Sequence, residues 1–224
     1  MNHRVPCLAT LRVRAIVMRA AGVSTADWIM APTSGLDDKM VVGELGLPLI
    51  VKPSKQGSTV GLSIVRDSSE LAGAVREAFR FDDEVMIERF IPGRELTVGI
   101  LGDEALPAIE IQPVKELYDY ECKYTPGMAA EFVAELDPST SALLADQARK
   151  SFQALKLEGY ARIDFRLDPQ GQPWCLEANT LPGMTPTSLI PQGAAAAGVL
   201  FPDLCERIVQ LALAGAKAER RISM

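Results

Sequence analysis

The chain has 224 residues, of which 48% are hydrophobic and 23% charged, with a net charge of −6 and a pI near 5.0. These values are typical of a folded protein with a sizeable core, and they exclude a nucleic-acid binder that works by bulk positive charge. His3 is the single histidine. A Ser-His-Asp or Cys-His triad and a histidine-rich zinc site are therefore improbable. Chemistry must rest on carboxylates, lysines, arginines and backbone amides.

The cysteines and the apolar stretches indicate where the protein works. The four cysteines are far apart and never form a C-x-x-C pair, which is typical of reduced thiols: Cys7, Cys122, Cys175 and Cys205. The longest apolar stretch, 193–201, is too short to span a bilayer, and the N-terminus lacks the hydrophobic region of a secretory signal. We therefore expect a cytoplasmic protein that does not bind membranes.

The hydrophobic pattern of the first third predicts a helix, a hairpin and a second helix. Apolar residues at helical spacing from Leu8 to Met18 predict a helix that stops at Gly22. Two short apolar runs, 47–52 and 62–65, predict strands on either side of a glycine-bounded loop. Asp67-Ser-Ser-Glu70 has the form of a capping box and predicts the start of the next helix.

The rest of the chain continues in an α+β order. Apolar runs broken by Pro-Gly, Gly-Asp and Asp-Pro turns predict successive strands, at 85–90, 96–101, 105–112, 160–167 and 173–178. Segment 118–130 has no clean period and is interpreted as an ordered loop. Helices are expected over 138–157 and around Leu204, Ile208 and Leu211.

The last hairpin gathers the polar side chains. If 168–171 is a four-residue loop, Arg162 faces Glu177 and Asp164 faces Cys175. One face then carries Arg162, Asp164, Glu177 and Asn179, and the other carries the apolar set Ala161, Ile163, Phe165, Trp174, Leu176 and Ala178. Two carboxylates with an amide oxygen suit Mg²⁺ or Mn²⁺ rather than zinc. A solvated face with structural salt bridges fits this pattern about equally well.

Other candidate residues are weak signals when taken alone. Lys52 ends a predicted strand before the loop 57–61, whose amides and hydroxyls could hold phosphate, although a plain turn is the commoner meaning. The chain has no Gly-Lys pair, so this is not a P-loop. Glu88 and Glu95 flank Pro92-Gly93 and could accept hydrogen bonds from adenine or ribose hydroxyls, but single acids are usually solvated.

Taken together, these segments resemble one family. IVKPSKQGSTVG, IERFIPGRELTVGIL, IQPVKELYDYECKY, GYARIDFRL and CLEANTLPGMTPTSLIP, in this order, are similar to the ATP-grasp ligases, and most similar to the D-alanine–D-alanine ligases, over residues 8–213. The resemblance implies an α+β ATP-grasp fold of two lobes with antiparallel sheets and covering helices. It implies a central lobe over 1–88, with the phosphate loop at 54–61, and a C-terminal lobe over 89–224 that carries the metal and substrate site.

The resemblance also implies a nucleotide site. Lys52 would contact the ATP phosphates, and the loop carrying Gly57 and Ser58 would fold over the γ-phosphate, with Ser58 also near the substrate. Glu95 would bind the ribose. The adenine would be held largely through the backbone of four consecutive residues, Glu88, Arg89, Phe90 and Ile91.

For catalysis, the resemblance implies ligation of two D-alanines to D-alanyl-D-alanine through an acyl phosphate, for peptidoglycan precursors. Two Mg²⁺ or Mn²⁺ ions would be bound by three ligands: Asp164, Glu177 and Asn179. Arg162 and the Gly183 amide would stabilise the oxyanion. The second D-alanine's carboxylate would meet Ser188 and Leu189, and a closing loop would carry Lys123 and Tyr124, with Lys123 also at the nucleotide. A homodimer is possible.

The chain departs from the family pattern in two places. The match begins almost at Met1, so we expect the additional α/β domain that opens family members to be absent. Thr10 stands where the family has a nucleotide-contacting lysine. A product starting at an internal methionine, a true two-lobed variant and an inactive remnant are all open. The rival functions are another ATP-grasp carboxylate–amine ligase and an ATP- and Mg²⁺-binding module without turnover.

Overall fold

The computed structural model describes residues 10–56, 59–113 and 129–222, with side chains described as far as residue 215. The helices are α1 Leu11–Ala20, α2 Asp38–Leu45, α3 Ser68–Ala78, α4 Pro138–Ala154, α5 Leu189–Ala196 and α6 Phe201–Ile222. The strands are β1 Trp28–Met30, β2 Leu49–Pro53, β3 Ser63–Val65, β4 Val85–Arg89, β5 Arg94–Leu101, β6 Glu104–Ala105, β7 Ile109–Pro113, β8 Ala129–Val133, β9 Tyr160–Leu167 and β10 Pro173–Asn179. None of the described helices combines the length and apolarity needed to cross a bilayer.

The first sheet has four antiparallel strands in the order β1-β4-β2-β3. The predicted first hairpin is confirmed, since Leu49 pairs with Val65 across β2 and β3. The predicted capping box is also confirmed, because the Asp67 carboxylate accepts from the first turn of α3 while Glu70 reaches back to the cap. Helices α2 and α3 bury their apolar faces on this sheet in one core.

The second sheet has six antiparallel strands, in the order β10-β9-β5-β7-β8 with β6 beside β5. Its larger core lies under α4 and includes Met18 of α1 and Val23. Helix α1 therefore packs on the second sheet although it precedes every strand of the first. The division of the chain at residue 88 stays a prediction. The sheets themselves give the α+β architecture with covering helices that the sequence predicts.

Some elements were not predicted. Strand β1 has only three residues and α2 only eight, and α5 begins in a Pro- and Gly-containing stretch, so none carries a long hydrophobic period. The interpretation of 118–130 as a loop is wrong at its end, because Ala129 and Ala130 begin β8. Residues 118–128 lie outside the described part of the chain. Strand β8 is half exposed, so its sequence lacks the alternation that marks a strand.

Two short segments, 24–27 and 90–93, join the first sheet to the part formed by α1 and the second sheet within the described chain. The first is anchored to both sides, since the Cys175 N–H donates to the Ser24 carbonyl and the Arg89 N–H donates to the Asp27 carbonyl. The second contains Gly93 at φ 127°, where a Cβ atom would lie 2.0 Å from the Leu167 carbonyl oxygen. Only glycine fits this backbone position.

Candidate active site

A cleft lies between the two sheets, and it collects most of the described residues that the sequence predicted to be functional. Those lining it are Lys52, Glu88, Arg89, Phe90, Ile91, Glu95, Asp164 and Glu177. The first sheet supplies the lysine and the residues expected at the adenine, while β5, β9 and β10 supply the remaining carboxylates. The cleft therefore has charged side chains of both signs on each wall.

The predicted register of the last hairpin is wrong. Strand β9 faces β10 through Leu167 and Pro173, so the loop has five residues instead of four. The turn is fixed by Asp168, which accepts from the backbone N–H groups of Gln170 and Gln172 and from the Trp174 indole. Burial would raise the pKa of Asp168, but these hydrogen bonds outweigh it and hold the pKa below its usual value.

A β-bulge at Leu176 then shifts the pairing by one residue, so that Glu177 faces Asp164 and Asn179 faces Arg162. The four polar side chains share one face as predicted, but for a different reason. Three residues are placed differently from the prediction. Cys175 faces Phe165 in the core, Trp174 faces Arg166, and Leu176 lines the cleft instead of lying on the apolar side. Burial raises the pKa of the Cys175 thiol to about 12.

Asp164 is the most constrained carboxylate of the cleft. Its side chain is only 10% exposed, and both oxygens contact Arg162, with Nε to Oδ1 at 2.8 Å and a terminal nitrogen to Oδ2 at 2.7 Å. The buried Thr97 hydroxyl donates to Oδ1 at 2.7 Å from the neighbouring strand β5. A buried carboxylate is costly unless it is paired, so this site holds its negative charge against a cation.

Lys52 lies on the opposite wall and forms an ion pair with Glu88. The Nζ atom is 2.5 Å from Glu88 Oε2, and both side chains are 14% exposed. The two residues are on adjacent strands, where Ile50 pairs with Glu88 and Lys52 is two residues further along. The lysine is thus held at the cleft by a carboxylate.

The start of β5 forms the end of the cleft next to the connection 90–93. Glu95 forms an ion pair with Arg166, in which a terminal guanidinium nitrogen lies 3.4 Å from Oε2. The Arg166 Nε donates to the Ile91 carbonyl at 3.1 Å. The Arg166 guanidinium also lies 5.3 Å from the centre of the Phe90 ring, a cation–π contact. Arg166 lines the cleft but was not recognised in the sequence.

Gly183, Ser188 and Leu189 lie in the segment that follows β10 and are not among the residues that line the cleft. The Leu189 side chain is buried in a small core with Ile109 and Ile111, so only its backbone could meet a substrate. The Ser188 Oγ accepts from the Thr185 N–H at 3.0 Å, and Ser188 precedes the first turn of α5. A helix N-terminus presents N–H groups to an anion, which suits a carboxylate.

Four of the predicted site residues lie outside the described part of the chain, and Thr10 is engaged as a helix cap. Gly57, Ser58, Lys123 and Tyr124 lie outside the described residues, although Gln56 and Thr59, which flank the first pair, line the cleft. Thr10 caps α1, since its hydroxyl accepts from the Val13 N–H at 3.4 Å. Its neighbour Leu11 lines the cleft, so an apolar side chain reaches the region for which the family pattern suggests a lysine.

Residues that sequence reasoning missed are Leu11, Thr97, Arg166 and Leu176. Thr97 and Arg166 act across strand pairs, opposite Asp164 and Glu95 respectively. The only signal in the sequence is that Thr97 is a polar residue next to the apolar run of β5 and that Arg166 continues the alternation of charged residues in β9. Their partners depend on the pairing of β5 with β9, which are separated by more than fifty residues and cannot be aligned from local pattern.

Comparisons with known proteins point the same way. A family model described as D-ala D-ala ligase C-terminus matches residues 17–210. A D-alanine–D-alanine ligase from Synechococcus sp. (strain JA-2-3B'a(2-13)) is 46% identical over 200 residues, which cover 88% of this chain and 62% of the relative. Another, from Geotalea uraniireducens (strain Rf4), is 47% identical over 178 residues, covering 78% and 57%. The chain spans less than two thirds of the length of either relative.

Solved structures give a similar result. The D-alanine–D-alanine ligase from Bacillus anthracis superposes with a TM-score of 0.84 at 36% identity, covering 95% of this chain and 70% of that one. The same organism's ligase complexed with ATP superposes with a TM-score of 0.82 at 32% identity, covering 95% and 68%. The similarity therefore extends over both sheets and the cleft between them.

Proposed function

The chain belongs to the D-alanine–D-alanine ligase family and has the ATP-grasp fold, and from this premise we propose that it ligates two D-alanines with ATP. The observation that carries the proposal is the cleft itself, which is lined by Lys52 from the first sheet and by Asp164 and Glu177 from the second. The setting proposed is peptidoglycan precursor synthesis in the cytoplasm, by a monomer or homodimer that binds neither membranes nor nucleic acid.

ATP is proposed to lie along the cleft. Lys52, held by Glu88, would neutralise phosphate charge, and the segment from Glu88 to Ile91 would hold adenine largely through its backbone. Glu95 would accept from ribose hydroxyls. The loop carrying Gly57 and Ser58 would close over the phosphates. The relative from Bacillus anthracis that is complexed with ATP supports this use of the fold.

The donor set fits a hard divalent cation. Asp164, Glu177 and Asn179 offer carboxylate and amide oxygens on one face of the hairpin. Two Mg²⁺ or Mn²⁺ ions are proposed here, and when bound they would neutralise the charge of the phosphate oxygens. The described residues contain no cluster of three or more His, Cys, Asp and Glu side chains, so Asn179 is essential to this assignment.

The chain's own residues would then position two substrates. The carboxylate of the first D-alanine attacks the γ-phosphorus, and ADP leaves to give an acyl phosphate. The amine of the second D-alanine attacks the acyl carbon, and phosphate leaves. Arg162 and the Gly183 N–H are proposed to stabilise the tetrahedral oxyanion, while Ser188 and the N-terminus of α5 hold the second carboxylate. Lys123 and Tyr124 are proposed to close the site and exclude water.

One observation favours a second candidate, a nucleotide- and Mg²⁺-binding module without turnover. Thr10 is engaged as the cap of α1, and Leu11 reaches the cleft next to it. Neither side chain can supply the positive charge that a lysine would bring to the phosphates. Another carboxylate–amine ligation within the ATP-grasp fold is the remaining alternative.

The deciding experiment is phosphate release from Mg-ATP with and without D-alanine, with the dipeptide detected by mass spectrometry. D-Alanine-dependent phosphate together with D-alanyl-D-alanine is the expected result. A thermal shift with Mg-ATP but no phosphate release would favour the binding module. Release that depends on a different amino acid or carboxylate would favour another ligase.

A further inference from the structure

We propose that Arg166 is a positioning residue that gives the cleft its preference for ribonucleotides over deoxyribonucleotides. This inference rests on the proposed function, because it deepens the assignment of Glu95 to the ribose. Arg166 has no role in the catalytic steps described above, and it lies on β9 at the opposite end of the strand's polar face from Arg162.

The geometry gives Arg166 three simultaneous contacts. Its Nε donates to the Ile91 carbonyl at 3.1 Å, one terminal nitrogen lies 3.4 Å from Glu95 Oε2, and the guanidinium lies 5.3 Å from the centre of the Phe90 ring. Phe90 and Ile91 belong to the connection between the sheets, whereas Glu95 is on β5. The one guanidinium therefore fixes the adenine-binding segment and the ribose-binding acid relative to each other.

The contact between Arg166 and Glu95 orients the carboxylate and still allows it to accept a hydrogen bond from a sugar hydroxyl. Both side chains are largely buried, at 11% and 13% exposure, so the carboxylate depends on a cation nearby. The 3.4 Å separation is longer than the contacts of 2.6 to 2.7 Å that other arginines of the same sheet make with Asp164 and Glu110. A sugar hydroxyl can compete for an acceptor that is held at this distance.

Arginine is required for this combination. The planar guanidinium can donate from Nε, contact a carboxylate with a terminal nitrogen and stack on a ring at the same time, whereas a lysine ammonium can satisfy only part of this set. Loss of the side chain would affect adenine contacts for every adenine nucleotide. Loss of the orientation of Glu95 would affect only nucleotides that carry the ribose hydroxyls. The two effects can therefore be separated by the choice of nucleotide.

The test is calorimetric binding of ATP, 2′-deoxy-ATP and 3′-deoxy-ATP to the full chain and to Arg166→Met. For the full chain we expect ATP to bind about tenfold more tightly than at least one deoxynucleotide, because ATP makes one more hydrogen bond to a charged acceptor. In Arg166→Met that ratio should fall to near one, while the affinity for the deoxynucleotide changes less than that for ATP. Equal losses for ATP and both deoxynucleotides, or an unchanged ratio, would overturn the inference.

Controls separate this outcome from a general defect. Arg94→Met removes a neighbouring arginine that pairs with Glu110 outside the cleft, and it should leave the ratio unchanged. In a Glu95→Gln background, Arg166→Met should no longer alter the ratio. Arg166→Lys, which keeps the charge, serves if the methionine variant does not fold, and it too should lower the ratio. A full chain that binds none of the nucleotides overturns the proposed function and this inference together, whereas discrimination that survives in the variants overturns the inference alone.

Discussion

Two arginines on one face of strand β9 each pair with a carboxylate, and the two pairs are built differently. Arg162 and Asp164 are on the same strand and meet through two short contacts, at 2.8 and 2.7 Å. Arg166 meets Glu95 across strands at 3.4 Å and shares its guanidinium with Ile91 and Phe90. The first end is a tightly held charge pair where a metal is proposed, and the second is a looser pair where the nucleotide is proposed to bind. Equal residue types on one sheet face thus make contacts of unequal length and number.

The largest expected effect is at the tight end. Asp164→Asn and Glu177→Gln should each lower Mg-ATP-dependent phosphate release about a thousandfold, because they remove charge from the proposed metal ligands. The measurement is phosphate release at saturating D-alanine. Asp146→Asn, which removes an exposed carboxylate of α4, is the matched control and should leave the rate unchanged. Turnover retained by both cleft variants would contradict the metal assignment.

A smaller effect is expected on the opposite wall. Lys52→Met should weaken ATP binding about tenfold to a hundredfold, because a charge-assisted contact with phosphate is lost and Glu88 is left without its partner. Equilibrium binding of ATP with and without Mg²⁺ measures this change. Lys150→Met on α4 removes an exposed lysine and should bind ATP as the unmodified chain does. An unchanged ATP affinity in the Lys52 variant would place the phosphates elsewhere.

The tight pair can also be tested without turnover. Arg162→Met should raise the affinity for Mn²⁺ about tenfold in the absence of nucleotide, because a cation beside Asp164 opposes a second cation there. Paramagnetic resonance of free Mn²⁺ at pH 8 gives the dissociation constant. Arg166→Met, at the loose end, should leave the Mn²⁺ affinity unchanged. Weaker Mn²⁺ binding in the Arg162 variant would show that the arginine supports the ligands instead of competing for them.

The smallest effect concerns the reverse side of the hairpin. Cys175 lies in the core behind Glu177, and burial raises the pKa of its thiol to about 12. The folded chain should therefore keep this thiol protonated at pH 8.5. Iodoacetamide should modify the partly exposed Cys205 before it modifies Cys175. Peptide mapping measures both sites, with denatured chain as the reference. Rapid modification of Cys175 in Asp164→Asn would mean that this variant disturbs the fold, so that its loss of activity could not be assigned to the metal.

The hairpin shows how far sequence reasoning reaches. The turn residues, the two strands and the shared polar face are readable from local pattern. The register is not, because the loop is one residue longer than predicted and the bulge at Leu176 adds a further shift. Both depend on how Asp168 binds three N–H groups and how Cys175 fits the core, which are properties of the folded hairpin. The predicted cluster of polar side chains was therefore right although its pairings were wrong.

The residues of the cleft divide in the same way, into those that local pattern identifies and those that depend on strand pairing. Lys52, Asp164 and Glu177 stand in recognisable segments, so the sequence identifies them one by one. Thr97 and Arg166 contribute through the pairing of β5 with β9, and that pairing joins distant parts of the chain. A local pattern carries no information about such a partner. The supporting residues of the cleft are for this reason the ones that only the structure reveals.

The two connections between the sheets have a mechanical consequence. Segments 24–27 and 90–93 lie close together, since the Arg89 N–H bonds to the Asp27 carbonyl where one begins β1 and the other leaves β4. A body tied covalently at two adjacent points turns most easily about the line that joins them. Opening of the cleft would therefore be a rotation about this line, with the proposed adenine segment on the axis. That segment would keep its surroundings during such a rotation, and the parts of the two cleft walls farthest from the axis would move most.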